Sequence, residues 1–223
     1  LYDAHVKRLA LMLDKQSDEE FRNARIQILS ELTKLRQLCC DPSLIYADYG
    51  ESSAKAEMCM DLVRNAVNGG HKILLFSQFT SMLELLCNRL EEEGITFYTL
   101  TGATSKEKRR ELVEQFNQDD TSVFCISLRA GGTGFNLTAA DIVIHYDPWW
   151  NLAVQNQATD RAHRIGQKNA VTVYRLVTKG TIEENVIRKK KKKKELAEQV
   201  LGGEGVGSGS FTREELKEIV GLL

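Results

Sequence analysis

Hydrophobic residues at a helical spacing dominate the first forty positions of this chain. Five of these residues recur mostly at steps of three and four, as on one face of a helix: Phe21, Ile28, Leu32, Leu35 and Leu38. Asp41-Pro42 ends the run, because proline disfavours the helical region for the residue before it. Ser52 or Ser53 is expected to cap a further helix that runs to about Asn68 and ends at Gly69-Gly70.

From residue 73 onward, short apolar runs alternate with amphipathic segments. The predicted strands are Ile73–Phe76, Phe97–Leu100, Val123–Ser127, Ile142–His145 and Val171–Val177. The predicted intervening helices are Ser81–Glu93, closed by Gly94, a segment opened by a Thr104–Glu107 capping box and running to about Asn117, and Leu152 to about His163. Strands that alternate with helices of this length predict an α/β fold with a parallel sheet and helices on both faces.

The end of the chain is predicted to be helical again. Thr181–Leu201 is a long helix with a lysine run, Gly202–Ser210 is a flexible linker, and Thr212 opens a short terminal helix. We therefore expect a helical extension over 1–50, an α/β domain over 51–180, and C-terminal helices over 181–223 that brace the structure.

Composition fits a soluble globular protein, with 42% hydrophobic and 27% charged residues. No apolar run is long enough to span a bilayer, no secretory signal is visible, and we expect no membrane partner. The start inside a predicted helix, without methionine, suggests a fragment of a longer protein. The five cysteines form no CxxC pair, so they are interpreted as reduced, intracellular core thiols, and no metal site is predicted.

Charge is unevenly distributed along the chain. The formal net charge is −1, yet residues 157–194 hold twelve Lys and Arg against three Asp and Glu. The densest part, Lys189–Lys194, is interpreted either as a solvated helix face or as a contact to a nucleic-acid backbone.

Three segments carry candidate chemistry. Ser127–Leu137 places glycines after a strand, where backbone N–H groups can approach an anion, although a tight strand-to-helix turn explains them as well. No GxxxxGK[ST] phosphate loop is present. Asp147–Asn151 contains Trp149 and Trp150, which either pack beneath a loop or contact nucleic acid or a partner domain.

The third segment is the predicted helix around residue 160. Gln157, Arg161 and Arg164 lie on one helical face, and Asp160 can orient Arg164 from one turn away. Two arginines in this arrangement suit phosphate oxygens, while a solvated basic helix with an internal ion pair is the plainer interpretation.

Taken in order, these segments resemble the C-terminal helicase motifs of superfamily-two ATPases, specifically the Swi/Snf branch of double-stranded-DNA translocases. The similar segments are KILLFSQF at Lys72–Phe79, LTGATS at Leu100–Ser105, the glycine-rich Ser127–Asn136, DIVIHYDPWWN at Asp141–Asn151 and QATDRAHRIGQ at Gln157–Gln167. The resemblance extends from about Leu35 to about Leu201, and the pair DPWWN and DRAHRIGQ is its most specific part.

The resemblance implies a RecA-like three-layer α/β/α lobe that shares one ATP, with Mg²⁺, with an N-terminal lobe. That partner lobe is expected to supply the phosphate loop and the magnesium ligands, so the fragment alone, expected to be monomeric, should be inactive. The implied arginine fingers are Arg161 and Arg164, with Arg164 favoured. The implied ATP-binding residues are Gly132, Gly134, Gln157 and Asp160, and the implied DNA-backbone contacts are Ser77, Gln78, Thr101, Gly102 and Ser127.

The implied partners are double-stranded DNA and DNA-bound proteins, in the bacterial nucleoid or the eukaryotic nucleus, with a bacterial origin favoured. Two departures from the family pattern are Leu152, where proline is usual, and Arg129, where lysine is commoner. The alternatives are a catalytically inactive lobe kept as a nucleic-acid- or protein-binding module, and a helicase that separates strands. His145 and His163 are expected to be structural.

Overall fold

The computed structural model describes residues 1–14, 21, 23–128, 130, 136–148, 170–189 and 212–222. The chain divides into two compact units. One is Glu51–Leu176, and the other combines Leu1–Gly50 with Val177–Leu223.

A parallel sheet forms the centre of the unit Glu51–Leu176. Its strands are β1 (Ile73–Ser77), β2 (Phe97–Leu100), β3 (Val123–Ser127), β4 (Ile142–His145) and β5 (Thr172–Arg175). Among the described residues the strand order is β2-β3-β1-β4-β5, and every neighbouring pair is parallel. The predicted α/β fold is confirmed, although β5 is shorter than the expected Val171–Val177.

In the part of this unit that the structure describes, three helices flank the sheet: α3 (Ala54–Asn68), α4 (Thr80–Glu92) and α5 (Lys106–Gln118). Ser53 caps α3, as one of the two predicted serines, by accepting a hydrogen bond from the Ala56 N–H. Gly70 and Gly94 follow α3 and α4 with φ of +76° and +67°, in the left-handed region where glycine carries no Cβ penalty.

The predicted capping box at Thr104 is wrong by one residue. Ser105 is the N-cap of α5, and its hydroxyl accepts from the Lys108 N–H. The Thr104 hydroxyl instead accepts from the Thr101 N–H, 3.1 Å away. Thr104 therefore shapes the loop before the helix, and Ser105 caps the helix itself.

The two faces of the sheet bury different sets of side chains, as the two-residue period of a strand requires. Leu74, Phe76, Phe124 and Ile126 belong to a core cluster with Leu112 and Phe116 of α5. Successive side chains point to opposite faces, so Leu75 of β1 and Cys125 of β3 lie on the other face, where they are also buried. Helices thus cover both faces of the sheet.

The other unit is built from helices at both ends of the chain. They are α1 (Tyr2–Asp14), α2 (Arg25–Cys40), a 3₁₀ turn (Pro42–Leu44), α6 (182–189) and α7 (Arg213–Val220). The Ile182 N–H donates to the Tyr2 hydroxyl at 2.6 Å, which ties α6 to α1. Thr212 opens α7 as predicted, and it does so through a capping box with Glu215.

A buried acid of α2 and a lysine of α6 make polar contacts within this helical unit. Glu31 of α2 accepts from Lys34 at 2.9 Å and lies 3.1 Å from His5 of α1. Burial would raise the pKa of Glu31, but hydrogen bonds with Lys34 and His5 hold this pKa below its ordinary value. Lys189, the first residue of the lysine run, lies 2.9 Å from Glu218 of α7. Lys190–Lys194 lie outside the described residues.

Candidate functional site

The loops that follow the strands gather at one edge of the sheet, because all five described strands run in the same direction. Ser77 and Ser127 end β1 and β3 and face each other in register. The segment after β2 begins at Thr101, and the segment after β4 contains Asp147. The DNA contacts predicted from the sequence therefore lie at this common carboxyl edge.

Ser77 connects two of these segments through its buried hydroxyl. Its Oγ donates to Asp147 Oδ1 at 2.5 Å, and the Gln78 N–H donates to the same oxygen at 3.2 Å. The Phe79 N–H donates to Ser77 Oγ at 3.2 Å. Ser77 is 0% exposed and Asp147 is 1% exposed, so this hydroxyl holds the segment after β4 against the end of β1.

Ser127 has a comparable position at the end of β3. It is 2% exposed, and its hydroxyl accepts from the Ala130 N–H at 3.4 Å. The N–H of Leu128, the residue after Ser127, donates to the Ser77 carbonyl at 2.9 Å. The side chains of Ser77 and Ser127 thus shape the strand ends, whereas Gln78 is half-buried and Gly102 is exposed.

The loop after β2 is held by an arginine that sequence reasoning missed. Arg109, in the first turn of α5, donates from Nε to the Thr104 carbonyl at 2.7 Å. Its Nη2 donates to the carbonyls of Thr101 and Gly102 at 3.1 and 3.2 Å, and its Nη1 donates to the Ala130 carbonyl at 3.4 Å. In the sequence, Arg109 is simply an arginine a few residues after a polar loop, and such arginines are too common for this one to be singled out.

Asn117, at the other end of α5, was also missed. Its amide Nδ2 donates to the Asn136 carbonyl at 2.9 Å, and its Oδ1 accepts from the Ala139 N–H at 3.2 Å. Ala130 precedes, and Asn136 and Ala139 follow, the glycine-rich sequence of residues 131–135. One helix therefore contacts both sides of that sequence through polar side chains.

His145, at the end of β4, is a neutral component of this edge. It is 1% exposed and its ring stacks on Phe76 with centroids 5.4 Å apart. Burial lowers the pKa of His145 to about 4, and the nearby Arg175 contributes to the lowering. The imidazole is uncharged at neutral pH, in keeping with the structural role expected from the sequence.

The remaining predicted site residues lie outside the described part of the chain: Gly132, Gly134, Trp149, Trp150, Gln157, Asp160, Arg161 and Arg164. Within the residues that the structure describes, no group of three or more His, Cys, Asp or Glu side chains is placed to hold a metal ion. No described helix is long and apolar enough to cross a membrane.

An all-parallel five-stranded sheet with flanking helices and a gathered loop edge defines a RecA-like α/β lobe. The model of the helicase conserved C-terminal domain family matches residues 54–166, which is half of the chain. The chain belongs to this family and is the C-terminal lobe of a Swi2/Snf2-type superfamily-two protein.

Two curated relatives illustrate how much of a longer protein the chain resembles. An uncharacterised ATP-dependent helicase of Mycoplasma pneumoniae is 43% identical over 85% of this chain and 18% of its own length. The human chromatin-remodelling ATPase INO80 is 46% identical over 69% of this chain and 10% of its own length. The chain therefore spans less than a fifth of either relative.

Solved structures of SWI2/SNF2 ATPases also match this chain. The C-terminal domain of the Sulfolobus solfataricus SWI2/SNF2 ATPase matches all of this chain and 92% of its own length, with 30% identity and a TM-score of 0.75. The core of that ATPase in complex with double-stranded DNA has 31% identity and a TM-score of 0.78, over 98% of this chain and 46% of its own length. The recognised family and the fold expected from the sequence are both confirmed.

Proposed function

We propose that this chain is the C-terminal motor lobe of an ATP-dependent double-stranded-DNA translocase, which completes an ATPase site with a preceding N-terminal lobe. The observation that carries this proposal is the convergence of the segments after β1, β2 and β3 on one edge of the sheet. Further support comes from the likeness to a SWI2/SNF2 core that was solved with double-stranded DNA.

Phosphoryl transfer is assigned to the segment around residue 160. Arg161 and Arg164, the latter favoured, would place guanidinium groups against the charge that develops on the transferred phosphoryl group. Arginine fingers accelerate such reactions about 10³–10⁵-fold, or about 4–7 kcal/mol at ~1.36 kcal/mol per tenfold. Gly132, Gly134, Gln157 and Asp160 are proposed to line the nucleotide cleft, and all of these residues lie outside the described range.

ATP and Mg²⁺ are proposed to be held mainly by the partner lobe. The sequence has no GxxxxGK[ST] loop to cradle a triphosphate, so this lobe would complete the site rather than form it. Magnesium would neutralise phosphate charge there, and this chain would contribute the arginines that act on the same phosphates.

DNA contact is assigned to the gathered loops. Gln78, Thr101 and Gly102, which are half-buried or exposed, would contact a phosphate backbone, while the buried Ser77 and Ser127 would orient these segments. Contacts to phosphates carry no sequence information, which suits a motor that moves over any sequence. Trp149 and Trp150 are proposed to couple the nucleotide cleft to DNA or to the partner lobe.

The substrate in the cell would be duplex DNA with its bound proteins, inside the nucleoid or the nucleus. The name of the human relative, a chromatin-remodelling ATPase, favours the displacement or repositioning of DNA-bound proteins over strand separation. An inactive lobe that only binds DNA or protein is the second candidate, since the same basic sequence around residues 157–194 would serve it.

The test is ATP turnover with and without duplex DNA, on residues 1–223 alone and on a longer polypeptide that includes the preceding lobe. We expect the short chain to be inert, the long one to be stimulated by duplex DNA, and Arg164→Ala to abolish the stimulated rate. A long polypeptide that binds DNA but never hydrolyses ATP would instead identify a binding module. Turnover that requires single-stranded DNA would favour a strand-separating helicase.

A further inference from the structure

Arg109 occupies an unusual position for a helical arginine, because its guanidinium group faces carbonyl oxygens rather than carboxylates. It donates four hydrogen bonds to the backbone carbonyls of Thr101, Gly102, Thr104 and Ala130. The first three belong to the loop after β2, and the fourth follows β3. One side chain therefore joins two of the segments that gather at the carboxyl edge of the sheet.

The geometry of guanidinium explains why arginine can do this. Its five N–H donors lie in one plane and point in fixed directions, so they can reach carbonyls on two loops at once. The carbonyl dipoles of Thr101, Gly102 and Ala130 all present their negative ends to this charge. Without it, the two loops would lose the cation that holds these oxygens near one another.

Packing beneath Arg109 connects the same two parts of the lobe. Leu128 and Ala130 share a core cluster with Leu112 and Phe116 of α5. Beyond the glycine-rich sequence, Asn117 of α5 binds the backbone of Asn136 and Ala139. Helix α5 thus fixes residues on both sides of that sequence, and Arg109 extends the connection to the loop after β2.

We propose that Arg109 is a positioning residue that transmits DNA engagement at the Thr101–Thr104 loop to Ala130, from which the chain continues to the proposed ATP-binding residues Gly132 and Gly134. This inference rests on the proposed function and names a residue through which DNA would stimulate ATP turnover. Arg109 acts through the two loops and touches neither substrate.

The first experiment compares the full-length protein with its Arg109→Met variant, because methionine is apolar and has no hydrogen-bond donor. We expect the maximal DNA-stimulated turnover to fall about 10- to 100-fold, the scale associated with small misplacements of reacting groups. The readout is the ratio of DNA-stimulated to basal turnover measured on the same protein, because a general structural defect would lower both rates together. Stimulation equal to that of the unsubstituted protein would overturn the role of Arg109.

Lys108→Met is the matched control. Lys108 lies next to Arg109 on α5 and makes an exposed ion pair with Glu111 at 2.8 Å. This substitution removes the same charge from the same helix without releasing a loop, so the stimulated turnover should remain unchanged. An equal loss in both variants would show that charge alone matters, which contradicts positioning.

The salt dependence of DNA binding separates positioning from direct contact. A side chain that neutralises a phosphate adds about 0.9 to the slope of log K against log salt. We expect this slope to be unchanged in Arg109→Met, whereas a decrease of about 0.9 would make Arg109 a DNA contact and overturn the proposal.

Folding and the underlying function are tested separately. If Arg109→Met melts below the assay temperature, Arg109→Lys replaces it in the assay. A single ammonium group keeps the charge but cannot span both loops, so the DNA-stimulated turnover of Arg109→Lys should still fall. Full stimulation of this variant would overturn the proposal. Absence of DNA-stimulated turnover in the unsubstituted protein would overturn the proposed function itself. Normal DNA stimulation in both the unsubstituted protein and the Arg109 variant would overturn only the role of Arg109.

Discussion

Ser77 and Asp147 are seventy residues apart in the sequence, and the hydroxyl of the first donates a 2.5 Å hydrogen bond to the carboxylate of the second. Both side chains are buried at the carboxyl edge of the sheet. Asp147 opens the DPWWN segment, so the start of that segment is fixed against the end of β1. A residue predicted to contact DNA thereby positions a neighbouring segment of the same edge.

Ser77→Ala should destabilise the protein by about 2 kcal/mol, because it removes a buried hydrogen bond and takes away a donor from the buried carboxyl group of Asp147. Urea unfolding at pH 7 measures this change. Ser122→Ala is the control, since the hydrogen bond that its hydroxyl accepts from Thr96 Oγ1 is exposed and 3.5 Å long; it should change the free energy of unfolding by less than about 0.5 kcal/mol. Equal effects of the two substitutions would contradict a special role for the Ser77–Asp147 contact.

Local patterns predicted the sheet well, because β1, β3 and β4 are short, mostly apolar runs that are buried along their whole length. They failed where two residues distant in sequence determine the geometry, or where two adjacent residues can both cap a helix. The Thr104 cap was misplaced because its hydroxyl is engaged by Thr101, which leaves Ser105 to cap α5. Arg109 and Asn117 were missed because their partners at Ala130 and Asn136 become neighbours only once β3 and α5 pack together.

Cys87 should be the most reactive of the thiols that the structure describes. A hydrogen bond with Cys125 lowers the pKa of Cys87 to about 7, against the opposing effect of burial. Burial raises the pKa of Cys59 to about 12, and Cys125, also buried, has a raised pKa. Since the thiolate is the nucleophile, iodoacetamide should modify Cys87 first, with a rate midpoint near pH 7.

Mass spectrometry of the labelled peptides locates the modified residue. Cys125→Ala should move the midpoint for Cys87 upward, toward the ordinary thiol value of about 8.5. Unfolded protein, in which all five cysteines are accessible, serves as the labelling control. Equal native labelling of Cys59 and Cys87 would contradict the difference in burial and hydrogen bonding between these two thiols.

His145 should make the folded protein less stable in mild acid. Its pKa is about 4 when folded, because burial disfavours the charged ring, against 6.5 for an ordinary histidine. Above pH 6.5 the ring is neutral in both the folded and the unfolded state, so its titration does not lower the free energy of unfolding there. Below that pH the unfolded chain binds a proton that the folded one does not, so the free energy of unfolding falls until about pH 4.

His145→Phe removes this titration and keeps a ring against Phe76. Between about pH 7 and about pH 5 the unsubstituted protein should lose about 2 kcal/mol more stability than the variant does. Urea unfolding at the two pH values measures the difference, and other titrating groups cancel because both proteins contain them. Equal losses of stability in the two proteins would show that the folded protein also protonates His145 in this pH range, so that its pKa is not lowered.

Lys106 and Arg110 provide a test of whether the start of α5 faces DNA. They lie four residues apart on that helix, both are exposed, and neither has an ion pair within the described residues. They flank Arg109 and follow the Thr101–Thr104 loop, so under the proposed function they are placed to meet phosphate groups.

Replacing both Lys106 and Arg110 by glutamine should weaken duplex binding by the full-length protein uniformly across sequences. The slope of log K against log salt should fall by about 1.8, or about 0.9 for each phosphate that is no longer neutralised. Arg64→Gln is the control, because Arg64 is engaged with Asp61 and Glu93 on the protein surface and should leave the slope unchanged. If the double variant binds DNA with an unaltered slope, the phosphate backbone does not pass along this end of α5, and the DNA contacts must lie elsewhere on the carboxyl edge.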